Sequence, residues 1–423
     1  MDLDSLAKWG DIKGINILGT GDFTHHIWIK EIKNKLEPLD NGLYKLKGSN
    51  TKVKFILTSE ISCIYSQAGK VRKIHLVVLA PSIETVEKIN SELKKIGNIM
   101  SDGRPILGIS AYNLANLIFS INSNCMIIPA HIWTPWFSIF GSNSGFNSVE
   151  ECFADLTPNI FVLETGLSSD PEMNWRLSKI DKFGLISCSD AHSPANLGRE
   201  ATVFEVADNI DVGYELISQM IQDSRSKNYL MQKNKLDYTI EFFPEEGKYH
   251  FDGHRLCNNT VLKPSESIKL NNICPVCKKK LTIGVSNRVE ELADREENYI
   301  LKNAPSSKHI IPLQEIIAES MGVQKNSSKV QAEYHKMIGL FGSEFGVLLD
   351  VPIENIGKDY DKKIAYGIDV MRQEEVFKIP GFDGVYGAIK VFNKYTNKSS
   401  NNSNPNKKIE NRRINENKQT KLF

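Results

Sequence analysis

Six short apolar runs, at residues 15–18, 54–58, 74–80, 125–129, 160–163 and 185–188, recur through the first half of the chain. Amphipathic stretches separate them, among them residues 83–96 and 112–122. Such runs have the length of buried strands rather than of helices. Strands alternating with helical patterns predict a parallel α/β architecture of the β/α-barrel type. A chain of 423 residues exceeds one ordinary core, so two or three domains are expected.

The residues just past each run carry the chemistry. The first run leads into Gly19-Thr20-Gly21-Asp22-Phe23-Thr24-His25, and the second into Ser59-Glu60. The third carries His75 near its start. The fourth ends at Ala130-His131, the fifth at Glu164-Thr165-Gly166, and the sixth at Ser189-Asp190-Ala191-His192. A single strand-end Asp or His usually caps a helix or bonds a loop. Recurrence at one strand end after another points instead to the catalytic rim of a β/α barrel. Imidazole and carboxylate suit zinc, manganese or iron, and two or three such ions can activate water and clamp a phosphoryl group. His26 is a weaker candidate than its neighbour, and Glu164 has the alternative of supporting a ligand rather than being one.

These motifs resemble those of the polymerase-and-histidinol-phosphatase (PHP) domain in the variant found in the endonuclease Q family. Gly-Asp-Phe-Thr-His, Thr-Ser-Glu-Ile-Ser, the strand His75, Pro-Ala-His-Ile-Trp-Thr-Pro-Trp and Ser-Asp-Ala-His carry the likeness. By that resemblance Asp22, His25, Glu60, His75, His131, Asp190 and His192 match metal-binding positions. His131, Asp190, His192 and Glu164 are then the catalytic candidates, with Ser168 a further active-site neighbour. The resemblance implies two or three divalent ions (Zn, Mn, Mg or Fe). It also implies hydrolysis of DNA on the 5′ side of a deaminated base (uracil or hypoxanthine) or an abasic site. A PHP domain opens with a strand ending in His-x-His, and no such motif precedes Gly19. The expectation is therefore an amino-terminally truncated, distorted barrel lacking its first strand and two ligands, with weak metal binding and little or no activity as written. A misplaced start and a true loss both account for this.

Past residue 235 the pattern changes. His254-x2-Cys257, sixteen intervening residues and Cys274-Pro275-Val276-Cys277 have the spacing of a tetrahedral zinc site, with His250 an alternative to His254. One structural zinc is expected, since so small a module cannot build a core alone. The remaining cysteines, Cys63, Cys125, Cys152 and Cys188, lie in or beside apolar runs and read as buried thiols of a cytoplasmic protein. From about residue 304 helical patterns at 313–321 and 329–341 precede a glycine-rich end at 380–391, where Phe382 and Tyr386 are candidates to stack on a base. The expected organisation is a PHP-like domain over 1–235, a zinc module over 236–303, a mixed α+β nucleic-acid-recognition domain over 304–395 and a disordered basic tail over 396–423.

The tail holds seven lysines and arginines against two glutamates, +5 within a chain of net +1, so the rest carries −4. DNA binding by the body must then rely on local patches. Damaged DNA and replication or repair proteins are the expected partners, with no membrane. Two other readings stay open: a small-molecule phosphatase, for which the two later modules are superfluous, and a non-catalytic lesion-binding protein.

Overall fold

The run at 54–58 opens a much longer strand, Lys54–Gln67, that turns straight back into Lys70–Ala80. The turn needs left-handed backbone at both central residues, Ala68 (φ 52°) and Gly69 (φ 73°), as two-residue hairpins do. The pair stays in antiparallel register from Leu57↔Ala80 to Gln67↔Lys70. Met126–Pro129 lies antiparallel on the far side of Lys70–Ala80, and Ile17–Gly19 lies parallel on Lys54–Gln67. The expected all-parallel order is therefore broken by Lys70–Ala80. A computed structural model describes residues 1–392 except 102 and 227. The basic tail expected over 396–423 lies outside the described residues.

The fold is mixed α/β. Val162–Glu164 and Gly184–Ile186 form a buried parallel pair. Lys235–Glu241 pairs antiparallel with Ala201–Glu205 and parallel with Ser306–His309, so it bridges the expected boundary near residue 236. Helix Ile83–Ile96 forms where its pattern placed it: the Ser82 side chain accepts from the Thr85 N–H, and Val86, Ile89 and Leu93 make one buried stripe. Helices Leu313–Met321, Ser328–Phe341 and Lys362–Arg372 enclose a carboxy-terminal core that includes Leu313, Ile317, Tyr334 and Ile368. Among the described residues no helix is long and apolar enough to cross a membrane.

The first helix, Leu3–Lys13, locks the amino-terminal segment onto the carboxy-terminal helices. Lys13 and Glu344 form an ion pair of 2.6 Å, each side chain only 3% exposed. Glu344 also accepts from the Tyr334 hydroxyl at 2.6 Å and the Leu313 N–H at 3.0 Å. Removing one partner of a buried pair strands the other charge and costs about 3–5 kcal/mol. Lys13→Met is therefore expected to lower the unfolding free energy measured in urea by that much, and Lys13→Met/Glu344→Gln to recover part of it. Equal stability of Lys13→Met and wild type would show that the pair carries no weight.

Candidate metal centre

Register brings the first ligands together. Ser62 faces His75 across the hairpin, and Glu60 lies two residues before Ser62 on the same face, so Glu60 and His75 are diagonal neighbours. His131 arrives from the adjoining strand, two residues beyond Pro129. The Glu60 Oε1 lies 2.7 Å from His75 Nδ1 and 3.3 Å from His131 Nε2, and the two nitrogens are 3.1 Å apart. Ligand atoms on one ion with bonds of about 2.1 Å lie roughly 3.4 Å apart. Three lone-pair atoms converging at this spacing fit a divalent ion. Because Lys70–Ala80 runs antiparallel, His75 precedes Val77, the partner of Glu60, by two residues.

His131 is held in several ways. Its backbone N–H donates to Glu164 Oε2 at 2.7 Å, and its Nδ1 lies 3.1 Å from the Thr134 hydroxyl. Its backbone is left-handed (φ 32°), and a Cβ on Gly166 would stand 2.5 Å from the His131 Cβ, so only glycine fits there. Asp22 (φ 39°) and Asp190 (φ 40°) share this sparsely populated conformation. Backbone strain of this kind, just past strand ends, clusters at functional sites.

Burial would raise the Glu60 carboxyl, but the hydrogen bonds from His131 and His75 outweigh it and hold Glu60 below the usual carboxylate range. Burial lowers His75, whereas for His131 the nearby Glu60 overcomes burial and raises it. Glu164, 3% exposed, is pushed up to about 7 by burial, against the opposing His131.

The other expected ligands do not join the cluster. Asp22, His25, Asp190 and His192 line the same open cavity of about 1330 Å³ as Glu60, His131 and Glu164. His192 is 73% exposed, and its Nδ1 lies 3.9 Å from Asp190 Oδ1. Asp190 is exposed, and its carbonyl accepts from Arg199 at 3.0 Å. His26 heads helix His26–Lys35 with its ring 4.8 Å from that of His25. Ser168 sits near Gly247 and is not among the cavity's lining residues.

Two residues at the site carry no sequence motif. Arg104 Nη1 stands 2.7 Å from both Glu60 Oε1 and His75 Nδ1. It lies in a connecting segment, so nothing local signals it. Glu200 lines the cavity and is 2% exposed. Its one sequence signal is its place ten residues after Asp190.

A second cluster forms in the cysteine module, where His254, Cys257, Cys274 and Cys277 offer ligand atoms within 4.8 Å of one another. His254 Nδ1 lies 3.2 Å from Cys277 Sγ. Burial would raise the Cys274 thiol, but backbone N–H groups of the knuckle and His254 draw it down to about 6, towards the thiolate a metal needs. The choice between histidines falls to His254, since His250 turns its Nε2 to Ser286 and is buried elsewhere.

Comparison with known proteins places this geometry. The crystal structure of PfuEndoQ, a lesion-specific endonuclease from Pyrococcus furiosus, superposes with a TM-score of 0.80 at 30% identity, over 95% of this chain and 93% of that one. The chain belongs to the endonuclease Q family. A second endonuclease Q structure, in complex with a 27-mer duplex bearing an abasic lesion at its active site, gives a TM-score of 0.79 at 30% identity over 94% of this chain and 93% of that one. Residues 312–375 match the model of the MJ0043 C-terminal domain. The uncharacterized protein MJ0043 of Methanocaldococcus jannaschii is 31% identical over 261 residues, 61% of this chain but 31% of that protein, so the chain spans under a third of that relative's length. The uncharacterized protein YqxK of Bacillus subtilis is 27% identical over 91% of each chain. Endonuclease Q membership thus rests on likeness through the amino-terminal sheets, the cysteine module and the carboxy-terminal helices together.

Proposed function

We propose that this endonuclease Q family member is a DNA-repair nuclease of PHP type, hydrolysing a phosphodiester on the 5′ side of a deaminated base or an abasic site. The observation that carries this reading is the convergence of Glu60, His75 and His131, at ligand spacing, in a chain alike over nearly its whole length to a lesion-specific endonuclease. Two or three divalent ions held by these residues, with Asp22, His25, Asp190 and His192 on the same cavity wall, would activate water and neutralise charge on the phosphoryl oxygens. The chain's own groups do the rest. Glu164 fixes His131 through its backbone N–H, and Arg104, which holds Glu60 and His75 at 2.7 Å each, lines the same cavity and would turn its guanidinium to a phosphate once an ion takes those two ligands. A phosphate-monoester substrate would leave the cysteine module and the carboxy-terminal helices without a task.

Exposed aromatic side chains offer stacking surfaces for DNA. Trp136, 40% exposed, follows His131 by five residues and meets Tyr249 edge-on at 5.6 Å. Tyr386 is 70% exposed, with Lys248 Nζ 4.6 Å from its ring centre. Phe382, the other candidate for base stacking, is buried against Gly253 and packs the fold instead. Base stacking is worth ~1–3 kcal/mol per ring, so Trp136→Ala and Tyr386→Ala are each expected to weaken binding of an abasic duplex by roughly 5- to 150-fold. Fluorescence anisotropy measures this. Unchanged affinity in both variants would place the DNA elsewhere.

The metal-dependent step is tested with the chelator-treated full chain on a duplex carrying one abasic site, with Mn²⁺ or Zn²⁺ restored. Nicking 5′ of the lesion only after metal is restored supports the reading. Tight lesion binding with no nick at saturating metal would favour a non-catalytic binder, the outcome expected if the two His-x-His ligands are required.

A further inference from the structure

Away from the cavity, a third set of ligand-type side chains meets where the amino-terminal sheets approach the carboxy-terminal helices. Asp170 caps the short helix Pro171–Trp175, Glu172 lies on it, and His309 ends the strand Ser306–His309. These three offer ligand atoms within 4.8 Å of one another. We infer that Asp170, Glu172 and His309 form a further divalent-cation site, suited to a first-row ion such as Mn²⁺ or Zn²⁺, that ties the two halves of the molecule together.

The arrangement of His309 is the first ground. Its Nδ1 lies 3.0 Å from Glu374 Oε1 and its Nε2 lies 3.3 Å from Asp170 Oδ2. A carboxylate on one ring nitrogen fixes the tautomer and turns the other nitrogen's lone pair outward, which is how metal-binding histidines are oriented. The distance from Nε2 to Asp170 Oδ2 is that of two ligands sharing one ion. Asp170 Oδ1 is already engaged by the Met173 N–H at 2.8 Å, leaving Oδ2 for the ion.

The second ground is independent of that triad. Glu241, fully buried, stands opposite His309 in the parallel register and so presents its side chain on the same face. Its Oε2 accepts from the Thr165 hydroxyl at 2.9 Å, while Oε1 has no partner among the described residues. The buried Glu172 Oε2 and His250 Nδ1 are also unpartnered there. His250 is 8% exposed and feels the charges of Glu245 and Asp170. Buried polar atoms are rarely left unbonded unless a water or ion completes them.

Charge points the same way. Asp170, Glu172, Glu241 and Glu374 crowd around one imidazole. Lys378, whose charge reaches Asp170 and Glu374, is engaged with Glu245 at 2.9 Å. An imidazolium shared between Asp170 and Glu374 would account for His309 alone. It would leave the unbonded Oε2 of Glu172 as it is, whereas a divalent ion gives it a partner.

The test uses the intact chain with Mn²⁺ or Zn²⁺ alone. Crystals equilibrated with either ion should show an anomalous peak between Asp170 Oδ2 and His309 Nε2. Asp170→Asn/Glu172→Gln should bind one ion fewer per chain by elemental analysis and lose part of the metal-dependent rise in melting temperature. No peak there at saturating Mn²⁺ and Zn²⁺, or equal ion content in the variant and wild type, would overturn the site. If the variant does not fold, the wild-type anomalous map decides by itself. Peaks at Glu60–His75–His131 are resolved separately, so this site stands or falls independently of the nuclease reading.

Discussion

Replacing Cys274 by serine is expected to unfold the cysteine module while the rest of the chain stays folded. The module has little core of its own. Between residues 252 and 282 the buried apolar members are Cys274 and Leu281, and the strand pair Asp252–His254 and Thr260–Leu262 is only three residues long on each side. Its polar centre is Asp252, which accepts from the Gly284 N–H at 2.6 Å and also holds Ser267 and Asn287. A structural zinc in such a setting supplies on the order of 10–16 kcal/mol of binding free energy, far more than these contacts. Helix Val285–Leu292 should survive, because Val285 and Val289 belong to the amino-terminal core and Arg288 donates to the carbonyls of Phe140 and Phe146, each at 3.0 Å. Hydrogen exchange on the full chain should show protection lost across residues 252–282 in Cys274→Ser, and in wild type after chelation. Protection unchanged by chelator would mean that no metal holds the module.

Glu60→Gln is expected to abolish cleavage and leave lesion binding nearly intact. Glu60 is the group to which both histidines point, and against burial its hydrogen bond and charge do most to raise His131. An amide of the same shape keeps the packing and loses a ligand charge. Changing an outer partner of a metal ligand costs roughly 10–100-fold, so losing the ligand itself should cost more than about 100-fold. Asp190→Asn should also stop cleavage, although Asp190 stands outside the converged trio. Glu164→Gln should cost less, since Glu164 bonds the His131 backbone N–H and acts on the ring only through its charge. Single-turnover nicking rates rank the three.

Much of this site is legible in the sequence because ligands follow strands, and strands announce themselves as apolar runs. Glu60, His75 and His131 stand out that way. Strand direction is not legible, since an apolar run reads the same for either orientation. The clue to the reversal of Lys70–Ala80 is the two-residue Ala68-Gly69 turn, which alanine disguises because it rarely takes positive φ. Phe382 fails as a stacking residue for a different reason: its burial depends on Gly253, a neighbour far away in sequence. Nor can spacing separate His250 from His254, which differ in what they pack against. The Asp170–Glu172–His309 cluster is invisible in the sequence because His309 lies 139 residues beyond Asp170 and meets it through folding.

Whether the rim cluster is a metal centre acting on lesion DNA comes down to a single titration. Wild-type and Glu60→Gln chains, stripped of metal and given back one equivalent of Zn²⁺ for the cysteine module, are titrated with Mn²⁺ in the presence of a duplex with a single abasic site, and binding and nicking are read from the same samples. Both chains should bind the lesion duplex with similar affinity, and only wild type, only with Mn²⁺, should make one nick on its 5′ side. Nicking by Glu60→Gln at the wild-type rate, or nicking that persists after complete chelation, would contradict a metal centre at Glu60, His75 and His131.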